Sequence, residues 1–106
     1  MIQGLRTACL VVLAASIAVP VLAQAPGADT YKAKCAMCHG ADGLAATPMG
    51  KSMKILSFKD AAMVKASDAQ LTASTKNGKG KMPAYAGKLT DAQIKDVVNY
   101  IRTLQK

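Results

Sequence analysis

Cys35-Ala36-Met37-Cys38-His39 constrains this chain of 106 residues more than any other stretch. Two thiols three residues apart on a helical turn point to the same side. Each can add across a vinyl group of one haem, and the histidine that follows is carried under the ring, where an imidazole nitrogen can bind iron. Two other chemistries use similar residues. A redox dithiol of the C-x-x-C kind belongs in a strand–helix–strand context, and no β pattern stands out here. Structural zinc usually takes four ligands. His39 is the only histidine, and Cys9 the only cysteine outside the motif, so no Cys or His fourth ligand is at hand.

The segment before the motif reads as a leader. Arg6 is followed by an uncharged apolar run from Thr7 to Leu22, which ends in the small-residue pattern Val21-Leu22-Ala23. The run is about sixteen residues and contains Pro20, short of the roughly twenty that span a bilayer. The expectation is a signal peptide over 1–23, with cleavage after Ala25 as the alternative, and a mature domain over 24–106. A membrane anchor left uncleaved is the competing reading. Cys9 would be lost with the leader. Beyond Arg6 the chain keeps thirteen of its 14 basic residues against six acidic ones, so the mature domain is strongly basic. A domain this small often needs a staple, and a covalently held porphyrin would be one. Export to an oxidising compartment fits cysteines consumed by thioethers.

Along the mature chain, Asp29 or Thr30 can cap a first helix that runs through Tyr31 into the motif. Gly27, Tyr31 and Cys35 share a face of it. Gly40-Ala41-Asp42-Gly43 is a turn. Leu44 to Phe58 shows neither helical nor strand periodicity and reads as loop with at most a short helical turn. Within it, Pro48 could set a carbonyl against the second nitrogen of His39. Asp60 to Ala66 can form another short helix. Ser67-Asp68-Ala69-Gln70 is a capping box opening a helix that Gly78 can close. Thr90-Asp91-Ala92-Gln93 is a second capping box, with Leu89 and Ile94 as a hydrophobic staple. The helix that follows has Ile94, Val97, Val98, Ile101 and Leu104 on one stripe.

With His39 used, a second histidine ligand from this chain is impossible, so methionine is the soft neutral candidate for the sixth position. Met37 lies between the cysteines and cannot swing to the other face. Met82 is better placed than Met49, Met53 or Met63. It sits in Asn77-Gly78-Lys79-Gly80-Lys81-Met82-Pro83, where glycines and a proline make a loop of fixed course between two helices. The other methionines read as packing residues.

On these residues the chain resembles the class I c-type cytochromes, the short bacterial monohaem carriers in particular. The resemblance rests on Cys35-x-x-Cys38-His39, the Gly27/Tyr31 spacing, Gly78-Lys79-Gly80-Lys81-Met82-Pro83 and the terminal helix with Tyr100. It implies an all-α cytochrome c fold of three to five helices around one haem c, bound covalently through Cys35 and Cys38. His39 and Met82 would be the axial ligands. First and last helices would cross near Gly27, Tyr31, Val97 and Tyr100.

Six-coordinate iron leaves no position for substrate, so the function expected is electron carriage in the periplasm, not catalysis. The alternative is a five-coordinate haem that binds a small ligand or peroxide, if Met82 does not stay bound. Lys76, Lys79, Lys81 and Lys88 flank Met82 and could dock on an acidic face of redox proteins or membrane respiratory complexes. Nucleic acid is not an expected partner of an exported protein, and a monomer is expected.

Overall fold

A computed structural model describes Val11, Val12, Ala14 and residues 25–106. Most of the leader, with its cleavage site at 23 and Cys9, lies outside the described residues. Among the described residues there are six helices and no strand: α1 Ala28–Lys34, α2 Ala36–His39, α3 Pro48–Ser52, α4 Ala61–Lys65, α5 Asp68–Asn77 and α6 Asp91–Leu104. None of them is long and apolar enough to cross a membrane. The count exceeds five because the first helix is interrupted at Cys35, whose φ of −118° bends the chain between α1 and α2.

Both capping boxes form as the sequence predicts. Ser67 and Gln70 exchange hydrogen bonds at the start of α5, and Thr90 and Gln93 do so at the start of α6. The apolar stripe of α6 explains its position. Ile94, Val97, Val98 and Ile101 are all buried, and the helix packs on α1 and α5. Val97 and Ile101 of its mid-section meet Tyr31 and Phe58 in one cluster, with Cys35, Tyr100 and Leu104 against its edge. Tyr31 is fully buried, with its ring centroid 5.1 Å from that of Tyr100.

The first helix starts differently from the sequence expectation. Its N-cap is Gly27, not Asp29 or Thr30, and no side chain caps it. Packing decides this. Gly27 lies against the backbone of α6, where an added Cβ would stand 2.5 Å from the Asp96 carbonyl carbon and 2.8 Å from the Val97 nitrogen. Only a residue without a side chain lets the two helices cross this closely.

The central segment holds the short helical turn α3, opened by Thr47 as N-cap with Pro48 at its first position. Helix α4 follows from Asp60, which caps it through Ala62 N–H. Arg102 on α6 ties this region down. Its guanidinium donates to the Asp68 carboxylate at 2.9 Å, to the carbonyls of Ala66 and Met63, and to Gln105. Asp68 is 66 % exposed, so that ion pair contributes little. The two part-buried carbonyls at the α4–α5 junction matter more: the Ala66 carbonyl loses its side-chain donor, while the Met63 carbonyl keeps a longer bond from Gln105 Nε2 at 3.4 Å. Arg102→Met is expected to lower the unfolding free energy by about 2 kcal/mol, read by guanidinium denaturation. A loss below about 0.5 kcal/mol would mean water replaces the guanidinium without penalty.

Candidate functional site

The motif residues sit where α1 runs into α2. Cys35 N–H donates to Tyr31 O at 2.8 Å, and His39 N–H to Cys35 O at 2.9 Å, so one helical turn joins the thiols and the imidazole. Both thiols are unpaired and half-buried. Burial first, and then the neighbouring Cys38, push the Cys35 thiol up to about 11. A redox dithiol needs the opposite shift, toward an easily formed thiolate. Nor do three His, Cys, Asp or Glu side chains gather as a metal centre among the described residues. The dithiol and zinc readings therefore find no support in the geometry.

Three successive carbonyls at the end of α2 are each taken by a different element. Thr47 Oγ1 donates to Cys38 O at 2.8 Å, Ala45 N–H to His39 O at 2.8 Å, and the Tyr31 hydroxyl to Gly40 O at 2.6 Å. These are carbonyls that a short helix leaves without internal partners. Once satisfied, they hold the backbone on either side of His39 still. The imidazole itself stacks on Phe58, with centroids 4.6 Å apart and planes 16° from parallel. Burial lowers its pKa and keeps it neutral, the form that binds a metal. No hydrogen bond joins the ring to Pro48, contrary to the sequence expectation: His39 Nδ1 is buried without a partner. The proline instead opens α3, whose chain direction the Thr47 cap sets.

The loop of Met82 reaches the segment before the motif through Tyr85. Lys79 and Met82 close a turn on each other, with N–H to carbonyl distances of 3.2 and 3.0 Å. Gly78, at φ +74°, lets that turn fold back: a Cβ there would lie 2.7 Å from Met82 O. Three residues on, the Tyr85 hydroxyl donates to Lys34 O at 2.9 Å, next to Cys35. Burial, and behind it the two motif thiols, raise the Tyr85 pKa, which puts the phenol within their electrostatic reach. Met82 is half-buried. Of the other methionines, Met37 is 77 % exposed, Met49 is exposed and Met63 packs against the core. Lys76 is held by Asp91 at 3.0 Å, and Lys88 lies over the Tyr85 ring, while Lys79 and Lys81 are exposed.

Comparison with known proteins gives one answer. Residues 22–101 match the family described as cytochrome C oxidase, cbb3-type, subunit III. The cytochrome c6 of Leptolyngbya boryana is 39% identical over 80 residues, which cover 73% of this chain and 87% of that protein. The cytochrome c6 of Synechococcus elongatus is 35% identical, covering 73% and 85%. The solved structure of KustC0563 c-type cytochrome superposes with a TM-score of 0.70 at 30% identity, covering 76% of this chain and 98% of that one.

This chain is a class I c-type cytochrome.

Membership implies covalently attached haem c, and the residues of this cytochrome fit it. The two unpaired thiols stand one turn apart on the helical side that carries His39. His39 Nδ1 is a buried polar atom with nothing bound to it, which is costly for a protein to keep unless the ring has a task. Leu44, Met49, Leu56 and Val64 are large apolar side chains 40 to 52 % exposed, apolar area available to be covered. Reading the sequence missed four contributors: Thr47, Phe58, Tyr85 and Arg102. Thr47 before Pro48 carries a helix-start signal that could have found it. The others act across 19 to 51 residues of sequence, which no local pattern reports.

Proposed function

We propose that this cytochrome is a monomeric periplasmic electron carrier whose single haem iron is held by His39 and Met82. The observation that carries this reading is the bond from Tyr85 to Lys34, which fastens the Met82 loop to the helix bearing the haem cysteines. The haem supplies a reversible Fe(II)/Fe(III) couple. The chain's own residues supply rigidity. Tyr31, Ala45 and Thr47 fix the backbone around His39, Phe58 fixes its ring, and a neutral thioether favours the ferrous state. A closed, stiff site changes little on gaining an electron, which suits a shuttle and leaves no position for substrate.

Visible and near-infrared spectra of the purified holoprotein, with and without carbon monoxide, test the ligand set. The weak near-infrared band of a thioether–Fe(III) bond should be present, and carbon monoxide should leave the ferrous spectrum unchanged. Absence of the band together with ready carbon monoxide binding would replace the carrier with a ligand-binding haem protein.

The export reading rests on the apolar run before residue 24: a leader over 1–23 is removed, leaving 24–106. Mass spectrometry of the periplasmic fraction should find a chain beginning at 24 or 26. A full-length product in the membrane fraction would show an anchor instead. The redox partner offers an acidic face to Lys79, Lys81 and Lys88, with Lys76 engaged by Asp91. Electron-transfer rates with such a partner should fall as salt rises. A flat salt profile would remove the charge-steered docking.

A further inference from the structure

We propose that Tyr85 is a positioning residue for the sixth ligand: its hydroxyl, anchored on the Lys34 carbonyl, holds the Met82 loop closed over the iron. The inference rests on Met82 being that ligand. The loop leaves α5 at Gly78 and rejoins the helices at Thr90. Its turn at Lys79–Met82 is bonded to itself, and Tyr85 N–H and Ala86 N–H tie its return to the end of α5, at Thr75 O and Lys76 O. Of the loop's hydrogen bonds among the described residues, that of the Tyr85 hydroxyl is the one that reaches α1.

The anchor point gives this bond its meaning. Lys34 ends α1, so its carbonyl is one of those the helix leaves without an internal partner, and Cys35 is the next residue. A bond from Tyr85 to Lys34 therefore spans from the methionine loop to a segment covalently fixed to the haem. The lever is short, three residues from Met82, and the aromatic ring is stiff, with two side-chain torsions. Lys88 lies 5.9 Å over that ring and leaves its hydroxyl free to reach α1. Movement of the loop away from α1 at Tyr85 stretches this bond.

Removing the hydroxyl should make the sulfur easier to displace. The bond lies at an exposed site, and water can take over the Lys34 carbonyl, so the fold survives. A single hydrogen bond of ordinary strength corresponds to roughly a two- to tenfold change in an opening equilibrium. The experiment is a titration of ferric holoprotein with imidazole, following the thioether–iron band in wild type, Tyr85→Phe and Thr90→Ala. Thr90→Ala removes the cap of α6 and serves as a control for general destabilisation. Tyr85→Phe should bind imidazole roughly two- to tenfold more tightly than wild type, and its reduction potential should fall. Thr90→Ala should match wild type in both. Unchanged affinity in Tyr85→Phe, or an equal gain in Thr90→Ala, would overturn the positioning role while leaving Met82 as ligand. A wild type without the band would overturn the Met82 assignment, and this inference with it.

Discussion

Met82→Ala is expected to open the iron of the holoprotein. Alanine offers no donor, and the loop has little freedom to present another. Its course is set by Gly78, by the Lys79–Met82 turn, and by two backbone bonds to the end of α5. None of the other methionines lies in this loop, and Met37, between the cysteines, is mostly exposed. Carbon monoxide should then bind the ferrous variant at close to one molecule per haem, where wild type takes up essentially none. The reduction potential should drop by on the order of 0.1 V, a fraction of the ~0.8 V range that axial ligands command, because a neutral thioether no longer favours Fe(II). The fold should persist, since the core of Tyr31, Phe58, Val97 and Ile101 does not include Met82. Spectra and voltammetry of wild type and variant side by side decide the matter. An unchanged near-infrared band in Met82→Ala would mean that another sulfur holds the iron.

Gly27→Ala should be the most damaging single change for stability. A Cβ at this position meets the Asp96 carbonyl group and the Val97 nitrogen. These are backbone atoms of a regular helix and cannot turn aside as a flexible side chain could. The backbone at Gly27 also has φ +89°, a conformation that costs a residue with a side chain roughly 1–2 kcal/mol. Overpacking adds about 1–3 kcal/mol, so the expected loss is about 2–5 kcal/mol, a large part of the roughly 5–15 kcal/mol that holds a typical domain. The damage should spread to the site, because α1 carries Tyr31 and ends at Cys35. If α1 tilts away from α6, the Tyr31 hydroxyl loses Gly40 O and the backbone beside His39 loosens. Guanidinium denaturation of the holoprotein measures the loss. A change below about 1 kcal/mol would show that the crossing can widen cheaply.

Much of this architecture is written in local patterns. The capping boxes at Ser67 and Thr90 and the stripe of α6 are read directly, because each depends on residues three or four apart. The haem motif is legible for the same reason: thiols and imidazole belong to one helical turn. The cap of α1 is not legible locally because packing against α6 decides it, and Asp29 is a good cap residue in the wrong place. The segment from Leu44 to Phe58 has no period because its side chains do not line one face. Its order comes from single tethers, such as Thr47 to Cys38 and Phe58 on His39. The link from Tyr85 to Lys34 joins residues 51 apart and leaves no trace in either neighbourhood.

The crossing of α1 over α6 also sets an order of events. Gly27 and Tyr31 seat on Val97 and Tyr100, so α1 finds its partner only once α6 has emerged. Until then Tyr31 lacks its covering helix, and the cysteines at the end of α1 stand on an undocked segment. A chain delivered N-terminus first therefore holds the thiols beside α1 on an undocked segment until α6 arrives.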